Sequence, residues 1–93
     1  MLEKSPNDPF LLYGIALEHK KSGDTARALD FLDRTIVTDP SYCYAYYQQG
    51  QIREMAGDEA GARQAYEAGI AAATKKGDAH ARGELEAALE LLG

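Results

Sequence analysis

Residues 9–42 read PFLLYGIALEHKKSGDTARALDFLDRTIVTDPSY, and residues 43–76 read CYAYYQQGQIREMAGDEAGARQAYEAGIAAATKK. Laid one over the other, they pair Tyr13 with Tyr47, Gly23 with Gly57, Asp24 with Asp58, Ala26 with Ala60, Ala28 with Ala62 and Ile36 with Ile70, always 34 positions apart. Pro6 and Pro40 keep the same offset, each ahead of its unit. A fixed period of this length marks supersecondary units that bury their apolar faces against one another.

Punctuation inside each unit separates two helices. In Gly23-Asp24 and Gly57-Asp58, the glycine suits the left-handed end of one helix and the aspartate caps the exposed N–H groups of the next. Gly77-Asp78 repeats the signal, and Lys20-Lys21 and Lys75-Lys76 put positive charge at helix C-termini. Pro9 suits a first helical turn after Asn7 or Asp8, and Asp39-Pro40-Ser41 stops a helix and offers Ser41 as the next cap. The spacing predicts helices over approximately 9–22, 25–38, 42–56, 59–75 and 78–92, joined by short connections that force neighbours antiparallel. Leu12, Ile15, Ala16 and His19 form a stripe on the first, facing Ala28, Leu32, Thr35 and Ile36 on the second. The fifth carries Leu85, Leu89 and Leu92 on one side and Arg82, Glu86 and Glu90 on another.

Composition sets the outer bounds. The 93 residues suffice for one domain, and 45% hydrophobic with 27% charged residues is a globular composition. A net charge of −5 disfavours nucleic acid phosphates and anionic membranes as partners. The chain has no apolar run of membrane-spanning length, and Met1 to Pro6 lacks the apolar stretch of a secretory signal. With Cys43 the single cysteine, the expected location is cytoplasmic.

These residues resemble the tetratricopeptide repeat (TPR) family. The first unit supplies Leu12-x-x-Ile15-Ala16-x-x-His19, then Ala28-x-x-x-Leu32 and Pro40; the second supplies Tyr46-x-x-Gln49-Gly50-x-x-Arg53, then Ala62-x-x-x-Tyr66. His19, Gln49 and Arg53 stand where the family usually has apolar or aromatic residues, and Thr74 replaces the final proline. The resemblance implies an all-α fold, an alpha-alpha superhelix of two antiparallel helix pairs with a fifth, capping helix. The whole of 1–93 is expected to be a single domain: a lead over 1–8, repeats over 9–42 and 43–76, and a cap over 77–93. Two repeats are fewer than a solenoid ordinarily needs, which gives the fifth helix its covering role. Leu2 and Pro6 sit where a preceding unit would end, as in a longer parent chain.

Arrays of this family present a concave surface lined by the first helix of each unit. The resemblance places Phe10, Tyr13, Leu17, Lys21, Tyr44, Tyr47, Gln48, Gln51 and Met55 there, with a short peptide or helix lying across Tyr13 and Tyr47. Phe10, Leu17, Tyr44 and Met55 suit a core equally well. Some members grip a C-terminal carboxylate through Lys, Asn and Arg side chains. Here Tyr13, Leu17 and Gln48 replace the expected residues and only Arg82 matches, which favours a more apolar peptide. The implied function is a protein–protein interaction module, an adaptor or scaffold. The alternative is a structural homodimer covering the same aromatic surface; a monomer or weak homodimer is expected.

No catalytic, metal or cofactor pattern accompanies the repeat. His19 and His80 are the only imidazoles, and His80 with Glu84 makes an ordinary surface pair. Cys43 has no orienting partners and reads as a small buried side chain, Gly57-Asp58-Glu59-Ala60-Gly61 lacks the Lys-Ser/Thr of a phosphate loop, and Glu84, Glu86 and Glu90 read as a solvated face. No enzyme and no cofactor are expected.

Overall fold

Aspartate side chains start four of the five helices in the computed structural model, which describes residues 8–92. Asp8 accepts from the Phe10 amide at 3.0 Å, Asp24 from Arg27 at 3.2 Å, Asp58 from Gly61 at 2.8 Å and Asp78 from Ala81 at 3.0 Å. Each satisfies a donor that the first helical turn leaves without a partner. The helices are α1 (Pro9–Lys21), α2 (Thr25–Thr38), α3 (Cys43–Met55), α4 (Glu59–Lys76) and α5 (Ala79–Leu91). Leu2, Pro6 and Asn7 lie outside the described residues.

The start of α3 corrects the expected Ser41 cap. Tyr42 is its N-cap and makes no side-chain capping bond. Asp39 Oδ1 instead accepts from the Ser41 amide at 3.1 Å and the Ser41 hydroxyl at 2.7 Å. This local turn satisfies the serine before the helix begins. At the other ends, Gly23, Gly57 and Gly77 take φ of 84°, 82° and 80°, the left-handed conformation that a side chain would strain.

Each helix packs antiparallel on its sequence neighbour: α1 on α2, α3 on α4, with α2 against α3 and α4 against α5. Two apolar clusters result. One joins Ala16, Ala28, Leu32, Ala45 and Ile52 between the first pair and α3. The other joins Cys43, Ala62, Tyr66, Ala73, Ala81, Leu85 and Ala88 between the second pair and α5, with Leu89 and Leu92 packed on its edge. Alanine and glycine at the crossings let the helix axes come close, and α3 serves both clusters from opposite sides. The stack measures 41 × 30 × 16 Å, an open slab whose two broad faces remain accessible.

Three of the polar departures from the repeat pattern, Gln49, Arg53 and His19, have partners. Gln49, buried between the pairs, donates to Asp33 Oδ1 at 2.6 Å. Arg53 meets Asp58 at 3.2 Å. His19 stacks on Phe31 with ring centroids 5.6 Å apart. Burial therefore leaves no orphaned polar side-chain atom among the described residues.

The fifth helix departs from the 34-residue step. Pro9 and Cys43 begin their helices 34 positions apart, but Cys43 and Ala79 begin theirs 36 apart. The reason is α4, which runs 18 residues to its glycine end at Gly77, where α2 runs 14. In the new register Ala81, Leu85 and Ala88 take the places of Ala45, Gln49 and Ile52, the side of α3 that faces the preceding pair. A helix so placed covers the second cluster.

Candidate functional site: the wall of first helices

The first helices touch laterally as well as through their partners. On the α1 side, Lys20 Nζ donates to Gln48 Oε1 of α3 at 2.7 Å, and the Tyr13 ring packs at a tilt of 41° on Tyr42 with centroids 5.0 Å apart. Burial raises the Tyr13 phenol above its ordinary value, against a smaller opposing effect of a hydrogen bond with Gln48. On the α5 side, Tyr47, Gln51 and Glu54 face Glu84, Ala87 and Leu91 across a cleft of about 260 Å³. The Tyr44 phenol is raised by burial and then by the Glu84 carboxylate, which ties the base of α3 to α5. The helices α1, α3 and α5 thus form one continuous wall.

Beneath the wall lies Tyr66 of α4, whose ring is fully buried against the backbone of Gly50. Its hydroxyl accepts from Gln51 Nε2 at 3.1 Å and donates to Glu54 Oε2. Burial first, and the Glu54 carboxylate second, push this phenol well above the ordinary tyrosine value. One buried hydroxyl thereby orients two polar side chains of the wall.

Phe10 and Met55, which suited core or surface alike in the sequence, are 71% and 74% exposed. Tyr13, Leu17, Tyr44, Tyr47, Gln48 and Gln51 are half-buried, and Lys21 is exposed at the end of α1. Tyr13 has Tyr42 as its ring partner, whereas Tyr47 packs near Tyr44 and Tyr66. Arg82 is aligned with Gln48 by a 34-residue step, but the 36-residue step of α5 brings Glu84 to that place, and Arg82 pairs with Glu86 at 3.2 Å. Lys20, Tyr42, Glu54, Glu84 and Leu91 join the wall without having been expected there. Lys20 and Glu54 share one repeat position, a signal the 34-residue offset already contained.

The opposite side has a larger cleft, about 520 Å³, between α2 and α4. Its two acids are already engaged, Asp33 by Gln49 and Asp58 by Arg53. No three His, Cys, Asp or Glu side chains among the described residues converge as metal ligands. His80 and Glu84 form a surface pair at 3.4 Å, and Cys43 is a buried thiol raised first by desolvation and then by nearby Asp78.

Two antiparallel helix pairs stacked in the same sense, with a polar-faced closing helix, define a helical-repeat protein. The chain belongs to the tetratricopeptide repeat family: it is 38% identical over 92 residues to TPR repeat-containing protein PA0015 of Pseudomonas aeruginosa, covering 99% of this chain and 88% of that one. It also superposes on the crystal structure of a tetratricopeptide repeat domain protein from Salinibacter ruber at TM-score 0.83, with 33% identity, 91% of this chain and 94% of that chain covered. The solution structure of protein BPP2914 from Bordetella parapertussis gives TM-score 0.84 and 33% identity, covering 99% and 80% respectively. No family model matches the sequence. The fold is all-α among the described residues and of a type that generally serves protein–protein interaction. No helix among them is long and apolar enough to cross a membrane.

Proposed function

We propose that this chain is an adaptor or scaffold module that receives a peptide or partner domain on the wall of α1, α3 and α5. The observation that carries the reading is which apolar side chains stay outside the core. Four large ones among the described residues are exposed, and three of them, Phe10, Met55 and Leu91, belong to the first helices. Exposed apolar groups gathered with half-buried tyrosines suit a contact surface. In this reading residues 9–42 and 43–76 are the repeat units, 77–93 is the cap, and Arg82 lies outside the recognition surface. The exposed apolar groups and half-buried tyrosines gathered on the wall support a binding role, and the single buried thiol supports a cytoplasmic location.

The homodimer is the competing reading, favoured by the same exposed Phe10, Met55 and Leu91. Affinity capture with the chain, repeated with Phe10→Ser, Met55→Ser and Leu91→Ser combined, separates them. Partners retained by a Val37→Ser control on α2 but lost from the triple variant support the wall. Partners that survive the triple variant overturn it, and a tight dimer dissolved by the triple variant establishes the homodimer.

A further inference from the structure

The cleft between α3 and α5 has an electrostatic sign. Its ionisable side chains are the carboxylates of Glu54 and Glu84 and the Tyr47 phenol, and no Lys, Arg or His lines it. Neighbouring bases are engaged elsewhere or lie outside: Arg82 is on Glu86, Lys20 is on Gln48, and His80, beside Glu84 at 3.4 Å, is on the exposed rim. Glu54 is held from below by the Tyr66 hydroxyl through Oε2, which leaves Oε1 to accept from a ligand. At one end the cleft opens beside Leu91, 87% exposed, with Met55, 74% exposed, on the last turn of α3.

We propose that this cleft receives an arginine side chain of a partner peptide, its guanidinium between Glu54 and Glu84 and an adjoining apolar residue on Leu91 and Met55. This rests on the wall being a peptide-binding surface. Arginine fits better than lysine because its planar fork accommodates two carboxylates and stacks on an aromatic ring, here Tyr47, while its stem covers Ala87. An acidic peptide meets two carboxylates in a cleft that no Lys, Arg or His lines, and a neutral one brings no cation to them.

Heteronuclear NMR titration with amidated alanine-leucine octapeptides bearing one central Arg, Lys, Gln or Glu tests this. The Arg peptide is expected to shift Tyr47, Gln51, Glu84 and Leu91 signals and to bind about two- to five-fold tighter than the Gln peptide, the range of a partly exposed ion pair. That margin shrinks in Glu54→Gln and Glu84→Gln and persists in Glu90→Gln. If Glu54→Gln perturbs folding through Tyr66, Glu84→Gln carries the test, since Glu84 stands outside that network. Equal binding of the Gln or Glu peptide at these positions overturns the arginine preference and leaves the wall intact. If no peptide shifts the wall, both readings fail together.

Discussion

Tyr66 packs directly on Gly50, and each accounts for the other. A Cβ on Gly50 would overlap the Tyr66 ring, which has no room to withdraw because it is wholly buried. Gly50→Ala is therefore expected to cost about 1–3 kcal/mol by overpacking, despite alanine's better helix propensity. Gly14, helical and exposed with nothing within 4 Å of where a methyl group would stand, is the control. Gly14→Ala should stabilise the chain by about 0.5–1 kcal/mol. Thermal unfolding of the two variants checks both signs. The hydroxyl of Tyr66 gives a pH prediction. Its phenol is raised in the fold above the ordinary 10.0, so the fold prefers the neutral form. That contribution is complete below pH 10.0 and is lost as the pH climbs through the folded value. Denaturant unfolding across alkaline pH should show a shallower loss of stability in Tyr66→Phe than in the parent chain.

At the scale of the element, α5 is the piece on which the second pair depends. Leu85 is 1% exposed and Ala81 fully buried, both against side chains of α3 and α4. Leu85→Ala should cost about 2–5 kcal/mol, and ending the chain after Lys76 should abolish cooperative unfolding. Calorimetry of the truncated chain reads this directly, and an unchanged transition would remove the capping role. The five helices and nearly all their ends were legible in sequence, because Asp caps and glycine stops act within a few residues of the end they set. The start of α3 was less so, since Asp39 competes for Ser41. The register of α5 was not legible: Thr74 standing in place of a proline lets α4 continue, and only packing on α3 and α4 selects which side of α5 is covered.

For the whole molecule, the open slab leaves the wall uncovered, and the association state decides whether that wall is a binding surface or a seam. Sedimentation equilibrium is expected to give a concentration-independent monomer, and a tight dimer that protects Tyr47 would establish the competing reading. The repeat period, the helical punctuation and the polar closing helix were determined by sequence alone, since periodicity and capping are written in short-range spacing. The tertiary structure alone decided that Phe10 and Met55 stay exposed, that Tyr13 turns to Tyr42, that Tyr66 holds Gln51 and Glu54, and that Glu84 rather than Arg82 faces the cleft. Each of those outcomes depends on side chains brought together from different helices, and a 3.6-residue period specifies a face without specifying what will lie against it.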